Sequence, residues 1–376
     1  YRERFSLPPP PPLSIVPPGL SRQGGHLFPG IAVAEALRAR GGESLMLISE
    51  KQIDTLATKG YEDFLFETLP ATGMPSLLSP KMVPFSWRFL RTLSRCHKIV
   101  AEFEADAVLG MGGFTSLAPL MSGRRHGTKT FIHESNAFPG KANRIAARRA
   151  DCVLLGLSVC RRYFPGKDAE VVGTPLREIM RQKHDHADAL AHFRLEEGRK
   201  TLLVMGGSQG ARGINRAVTG AVKQISEMGM QVIHLTGSAD VKEISSVYSS
   251  ASVPHHVSEF CHEMHFAYAA SDLAIARSGA SSLAELAAFA LPTILVPYPH
   301  ATDDHQTLNA QVYTENHAAI MLKEKDLEPR SIGRLFEELT QDSGAMLAEM
   351  STAMDALAVR NAAENICKSI EMRCRE

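Results

Sequence analysis

Short apolar runs alternate with helix-periodic segments along almost the whole chain, and that alternation admits few folds. The runs are Ser44 to Ile48, Ala107 to Leu109, Thr130 to Ile132, Cys152 to Leu155, Thr201 to Met205, Gln231 to Leu235, Leu273 to Ala276 and Thr293 to Val296. Continuous Leu/Ile/Val stretches of this length suit strands buried on both faces of a parallel sheet. Between them, Ile31 to Ala39, Ala142 to Ala150, Ile214 to Glu227 and Ser282 to Phe289 carry helical periodicity. A repeated βα order predicts an α/β fold with doubly wound parallel sheets.

A chain of 376 residues exceeds the usual single domain, so two domains are expected. Ile179 to Arg199 is charged, His-rich and poor in β-branched residues, and a fresh strand, Gly loop and helix start at Thr201. The expected division is 1–178 for the first domain, 199–345 for the second, and 346–376 for a C-terminal helix able to pack back on the first. In that last segment Leu347, Met350, Met354, Leu357 and Ile366 form the apolar stripe of one long helical pattern. At the other end, Pro8 to Pro12 favours polyproline II, and only Leu13 to Val16 precedes Pro17 and Pro18. Two readings stay open there: a short, poorly bounded first strand, or an N-terminal end other than the native one.

The charge balance, 41 basic against 41 acidic side chains, argues against nucleic-acid binding by bulk electrostatics. Six cysteines stand at 96, 152, 160, 261, 367 and 374 with no C-x-x-C pair, which fits free thiols in a reducing compartment. No apolar run reaches the roughly 18 residues of a membrane span, and Pro8 to Pro12 interrupts any signal-peptide pattern. The expectation is a soluble or peripheral protein.

Two loops carry most of the chemistry. Arg277-Ser-Gly-Ala-Ser-Ser-Leu-Ala-Glu285 is a small-residue turn opening a helix, and Pro297-Tyr-Pro-His300-Ala-Thr-Asp-Asp-His-Gln306-Thr-Leu-Asn309 opens a second. Helix N-termini present unpaired N–H groups and a positive dipole end, so a diphosphate can sit there without a metal. Glu285, one turn in, can accept hydrogen bonds from ribose hydroxyls. Together the loops have the layout of a nucleotide-sugar site; each alone is also ordinary strand-to-helix loop chemistry.

Three Gly-rich turns flank apolar runs or helices: Gly24-Gly25-His26, Gly110-Met-Gly112-Gly113-Phe114 and Gly206-Gly207-Ser208-Gln209-Gly210. Glycine is needed where backbone turns with φ > 0 or approaches a ligand closely. Ser208 is placed at a helix N-terminus facing a cleft, a position that also suits a plain N-cap. No turn matches G-x-x-x-x-G-K-[ST], which excludes a P-loop. His26 can serve as a general base near neutral pH, or be a structural loop histidine. His133-Glu134-Ser135-Asn136 emerges at the C-terminal end of a strand, where α/β ligands bind. Asp303-Asp304-His305 suggests a metal, but adjacent carboxylates point apart and no D-x-D occurs, so no metal is expected. Between Met74 and Lys98, Leu77, Leu78, Phe85, Trp87 and Phe89 mix with Lys81, Arg88, Arg91 and Arg95. Such a mixture suits docking on anionic headgroups, or a core-facing helix with a solvated basic face.

These residues together resemble the bacterial MurG family of undecaprenyl-diphospho-muramoyl-pentapeptide N-acetylglucosaminyltransferases. The resemblance runs from about Gly24 to Leu327 and rests on Gly206-Gly-Ser-Gln-Gly-Ala-Arg212, Ile132-His-Glu-Ser-Asn136 and Pro299-His-Ala-Thr-Asp-Asp-His-Gln-Thr-Leu-Asn309. It implies a GT-B glycosyltransferase: two Rossmann-like domains facing a cleft, and an inverting transfer without metal or other cofactor. It implies that Ser208, the backbone near Cys261, Ala280, Ser281, Ser282, Leu283, Ala284, Glu285 and Gln306 hold UDP-GlcNAc. Arg177 matches a donor-binding arginine, although Thr174 stands where the family usually has Asn. Gln23, Gly24, Gly25 and Asn136 would contact donor or acceptor, and His26 would be the general base or position the acceptor. The muramoyl C4 hydroxyl of lipid I would attack the anomeric carbon of GlcNAc to give lipid II.

The resemblance also implies a peripheral place on the cytoplasmic face of the bacterial inner membrane, through the basic apolar segment at 74–98. Cell-wall synthesis proteins of the division and elongation machinery are implied as partners. The family's first turn reads Gly-Gly-Thr-Gly-Gly-His after a clean strand. Here Ser21-Arg22-Gln23-Gly24-Gly25-His26 follows prolines, and Gln23 replaces a donor-contacting threonine. Residues before Gln23 do not resemble the family and read as an altered N-terminal end. Other readings are a GT-B transferase for another acceptor, a UDP-GlcNAc 2-epimerase, and a catalytically dead donor-binding homologue.

Overall fold

The computed structural model describes residues 14–16, 27–49, 61, 63–70, 79–80, 82–182, 184–206, 211–341 and 344–375. Two parallel sheets organise them. The first holds β1 (Ser14–Val16), β2 (Glu43–Ser49), β3 (Leu65–Leu69), β4 (Ala107–Gly110), β5 (Lys129–Glu134), β6 (Cys152–Leu155) and β7 (Ala169–Val171). Its spatial order is β3-β2-β1-β4-β5-β6-β7. The second holds β8 (Thr201–Met205), β9 (Gln231–Leu235), β10 (His255–Ser258), β11 (Leu273–Ala276), β12 (Thr293–Leu295) and β13 (Ala319–Met321), in the order β10-β9-β8-β11-β12-β13. Each sheet therefore reverses direction beside its own first strand, between β1 and β4 and between β8 and β11. Ligands of open α/β sheets bind outside the strand C-termini at such switch points.

The period of two along each strand explains the continuous apolar runs. In β8, Leu202 and Val204 join the core with Ile214, Ile225, Tyr248 and Phe336 on one face of the sheet. Leu203 and Met205 join Tyr268, Leu283, Leu286 and Leu295 on the other. In the first sheet Val153 and Leu155 point to one core, and Cys152 and Leu154 to its opposite. With both faces covered, no position is left for a polar residue unless it brings its own partner. His234 in β9 does so: its Nδ1 lies 2.9 Å from Tyr248 Oη and its Nε2 3.1 Å from Asn215 Oδ1.

The strands β3, β7, β10 and β13 carry no apolar run that the sequence pattern singles out, and all four lie at sheet edges. Their residues are mostly half-buried or exposed. An edge strand needs no unbroken apolar stretch. The first strand does form: Ile15 pairs with Ser44 on one side and Ala107 on the other, near the middle of the sheet. It is three residues long, which agrees with the short-strand reading.

Two helical readings need correction. The segment from Ile214 to Glu227 is not one helix but Arg212–Gly220 and Val222–Glu227, hinged at Ala221. The C-terminal pattern is likewise two helices, Ala345–Ala356 and Ala362–Cys374. Its apolar stripe is shared between bodies. Leu347 and Met350 pack in the second domain, whereas Ile366, Cys367 and Ile370 pack with Val33 and Leu37 in the first. A straight helix cannot serve both cores, so the chain breaks where it crosses. Arg373 then grips β7 and its approach, with Nε 2.8 Å from Asp168 and Nη1 3.0 Å from Glu170. Gly173 makes the crossing possible: its φ is +88°, and a Cβ there would lie 2.6 Å from Val359 Cβ.

Candidate active site

Strand β5 ends in Glu134, a residue only 2 % exposed. A buried charge at that place must be fully hydrogen-bonded, and it is. Oε1 accepts from the backbone N–H of Asn136 (3.0 Å) and from its Nδ2 (2.9 Å). Oε2 accepts from Gly140 N (2.9 Å) and Asn143 Nδ2 (2.9 Å). The carboxylate thus shapes the loop between β5 and the helix Lys141–Ala147, and presents Asn136 at the strand's C-terminal end.

From the second domain, β11 runs into Arg277 and Ser278, and the helix Ala280–Ala288 starts behind Gly279. Gly279 supplies no capping side chain, and the N-terminus it leads carries the positive end of the helix dipole, the end that suits an anion. Arg277 holds the exit of β12: its Nη1 donates to Val296 O (3.1 Å) and Pro297 O (3.2 Å) and lies 2.6 Å from Glu324. In the loop beyond, Asp303 and Asp304 both take left-handed backbone, with φ of 53° and 51°. Consecutive non-glycine residues there are rare and mark a tightly determined loop. The three side chains of the suspected metal motif take separate partners. Asp303 faces Arg144 of the first domain at 3.7 Å, Asp304 accepts from Thr307 Oγ1 (2.6 Å), and His305 Nδ1 lies 2.7 Å from Thr302 O.

Glu285, on the helix Ala280–Ala288, accepts a 2.8 Å hydrogen bond from Tyr268 Oη. Burial pushes its carboxyl above the usual value; the Tyr268 hydrogen bond and the nearby Arg177 charge pull the other way. Arg177 belongs to the first domain's last segment, stacks 4.1 Å over Phe28, and donates from Nη1 to Tyr61 Oη at 3.3 Å. Its Nε is buried without a partner among the described residues. An arginine, a carboxylate and a phenol from the two domains therefore meet at the cleft.

A cavity also lies between the two domains, with Arg177, Glu285 and Asn136 outside its lining. Ser135, Gly156, Leu157, Gly173 and Thr174 line it from the first domain. Ala280, Leu283, Ala284, Ala287 and Tyr313 line it from the second, and Leu357 and Val359 from the crossing segment. Of the residues expected in the site, Ala280, Leu283 and Ala284 are at this wall, with Ser281 and Ser282 on the same first turns of the helix. Gln306 turns its side chain to the loop itself, Oε1 accepting from Tyr298 N at 2.9 Å. The Cys261 side chain packs with Tyr268 and Leu283 in the core, its thiol pushed up by burial, and Phe260 beside it is 49 % exposed. Gln23, Gly24, Gly25, His26 and Ser208 lie outside the described residues, as do Met74 to Leu78 and Lys81.

Sequence reasoning missed three contributors. Tyr268 and Tyr61 sit in segments with no motif. Asn309 lay at the end of a quoted motif without a role; its signal is a polar residue beside Ala310 and Tyr313 on the buried stripe of the helix His305–Glu315.

The glycosyltransferase family 28 N-terminal domain matches residues 23–155, and the family 28 C-terminal domain matches residues 201–366. The UDP-N-acetylglucosamine--N-acetylmuramyl-(pentapeptide) pyrophosphoryl-undecaprenol N-acetylglucosamine transferase of Geobacter sulfurreducens is 36% identical over 352 residues, covering 91% of this chain and 94% of its own length. The protein of that same name from Desulforamulus reducens is 32% identical over 364 residues, covering 93% and 95%. Among solved structures, Acinetobacter baumannii MurG superposes with a TM-score of 0.76 at 25% identity, covering 96% of this chain and all of that one.

Proposed function

This chain belongs to glycosyltransferase family 28, among its MurG-type N-acetylglucosaminyltransferases, and from that membership we infer the reaction it carries out. It moves GlcNAc from UDP-GlcNAc to the muramoyl C4 hydroxyl of undecaprenyl-diphospho-MurNAc-pentapeptide, the lipid I to lipid II step of peptidoglycan synthesis. In the proposed course the C4 oxygen forms a bond to the anomeric carbon as the bond from that carbon to the β-phosphate oxygen breaks. UDP leaves with the electron pair, and a base takes the hydroxyl proton. His26 is the proposed base, on sequence position alone.

What supports the donor assignment is that Glu285 feels the charge of Arg177 from the first domain and lies on the helix Ala280–Ala288, whose N-terminus is led by Gly279. Glu285 suits the ribose hydroxyls as an acceptor. Helix amides and Arg177 suit the diphosphate, whose charge grows in the transition state. Ser208 and the backbone near Cys261 complete the proposed donor contacts, and Asn136 is a proposed substrate contact from the first domain. Formation of disaccharide-linked lipid from UDP-GlcNAc and a lipid I analogue tests the reading. His26→Ala is expected to lower turnover about a hundredfold or more with donor affinity little changed. Bound UDP-GlcNAc with no product from the unaltered chain would instead mark a donor-binding homologue without activity.

We also propose a peripheral place on the cytoplasmic face of an anionic membrane. Among the described residues no helix is long and apolar enough to cross one. The helix Met82–Glu102 buries Thr92, Cys96, Ile99 and Val100 in its second half. Its first half leaves Val83 76 %, Trp87 60 % and Leu90 61 % exposed. Positions 83, 87 and 90 share one helical face. Arg91 lies 4.7 Å over the Trp87 ring, and Arg88, Arg95 and Lys98 are exposed beside it. Burying such side chains in a headgroup layer contributes up to about 1.5–3 kcal/mol each. Replacing Trp87 and Leu90 together by serine is expected to weaken binding to phosphatidylglycerol vesicles roughly a hundredfold, while transfer to a soluble acceptor analogue stays intact. Unchanged vesicle sedimentation would place the docking surface elsewhere.

A further inference from the structure

Asn309 lies at 0 % exposure on the helix His305–Glu315 of the second domain, yet two of its three side-chain hydrogen bonds among the described residues reach the first domain. Its Oδ1 accepts from Ala137 N at 2.8 Å. Its Nδ2 donates to Asn136 Oδ1 at 3.0 Å and to Ser278 O at 3.1 Å. The polarity of this chain of amides is forced. The Glu134 carboxylate accepts from four N–H groups, so Asn136 turns Nδ2 toward it and Oδ1 away. That leaves an acceptor facing Asn309, which must answer with Nδ2. Ala137 N–H only donates and Ser278 C=O only accepts, and both demand the same orientation of Asn309. No amide in the network can flip without setting like against like.

We propose that Asn309 is a positioning residue that couples the two halves of the active site, holding Asn136 and the Ser278 turn in one fixed relation across the cleft. The turn leads directly into the helix assigned above to the donor diphosphate, so the proposal rests on that reading of the site. Ser278 is also held from its own side, its Oγ donating to Gln306 O at 2.8 Å. The donor turn therefore keeps its shape without Asn309, whereas Asn136 loses its only tie to the second domain among the described residues. A consequence for Asn136 follows. With one Nδ2 hydrogen on Glu134 and one Oδ1 lone pair taken by Asn309, its second Nδ2 hydrogen and second Oδ1 lone pair are left for a ligand, a pairing that suits a hydroxyl.

The test combines amide exchange with a double-substitution cycle. In the unaltered protein without ligand, the backbone of 134–140 is expected to exchange slowly. Asn309→Ala is expected to speed exchange there about tenfold while other first-domain peptides stay unchanged. In the transfer assay it is expected to lower kcat roughly ten- to a hundredfold with donor KM moved less than threefold, and adding it to Asn136→Ala is expected to cost little more than Asn136→Ala alone. Asn309→Asp keeps the acceptor for Ala137 and sets oxygen against Asn136 Oδ1 and Ser278 O; it is expected to act like the alanine if the latter does not fold. Rapid exchange at 134–140 in the unaltered protein overturns the proposal, as do unchanged exchange in the variants and multiplying effects of the two substitutions. Absence of transfer by the unaltered chain would sink the functional reading instead, and the exchange measurement would still judge the coupling.

Discussion

Glu285→Ala is expected to raise the donor KM about 10- to 100-fold with a smaller change in kcat. A ribose contact is remote from the reacting carbon, so its loss removes ground-state and transition-state binding alike. The substitution also strips Tyr268 Oη, buried in the core, of the carboxylate that accepts its hydrogen bond at 2.8 Å. Glu285→Gln retains one acceptor and is expected to fall between. The same residue sets a pH dependence. Burial pushes its carboxyl above the ordinary value for glutamate, against the opposing effects of Tyr268 and Arg177. On the proposed ribose contact the ionised form is the one that would accept from both hydroxyls, so donor affinity is expected to fall as pH drops through that raised value. The loss begins at higher pH than for an ordinary carboxylate. Arg177→Ala removes one influence that favours ionisation and is expected to move the inflection to still higher pH. The checks are donor KM against pH for the three variants. A KM within twofold of the unaltered enzyme would exclude Glu285 from donor binding.

Glu134→Ala is expected to cost about 3–5 kcal/mol of stability and to abolish measurable transfer. Four N–H contacts from Asn136, Gly140 and Asn143 converge on this carboxylate. Alanine leaves those donors buried without an acceptor, at roughly 1–3 kcal/mol for each that water cannot reach. The loop that presents Asn136 and Ala137 to Asn309 then has no reason to keep its shape. Glu134→Gln keeps one oxygen but turns an amide toward two of the donors, and is expected to lose about half as much. Urea unfolding midpoints and the transfer assay check this together. A Glu134→Ala protein with unchanged midpoint would mean that the loop is held by something other than its carboxylate.

How much of this was legible in the residues depends on what each residue is asked to do. The runs at Thr201 to Met205 and Cys152 to Leu155 match β8 and β6 because both faces of those strands are buried, and only an unbroken apolar run satisfies that demand. His255 to Ser258 and Ala169 to Val171 escaped because an edge strand is half in solvent and tolerates His, Glu and Ser. The loops Arg277 to Glu285 and Pro297 to Asn309 stood out as a pair because small residues before a helix, and polar residues after a strand, are local chemistry. Glu134 was part of a visible motif, but its four contacts need the path of the chain through Gly140 and Asn143 to be known. Tyr268 carried no signal; its role comes from lying against Glu285.

By itself the sequence determined the α/β class, the two-domain order and the family. These depend on periodicity within a few residues or on contiguous motifs, and both survive without a partner segment. Only the tertiary structure decided how the last helices divide between the two cores, which edge strands close the sheets, and that Asn309 answers to Asn136 and Ala137 from 173 and 172 positions away. Those are pairings across the cleft, and a hydrogen bond's partner is a matter of position in space that neither residue's neighbours along the chain encode.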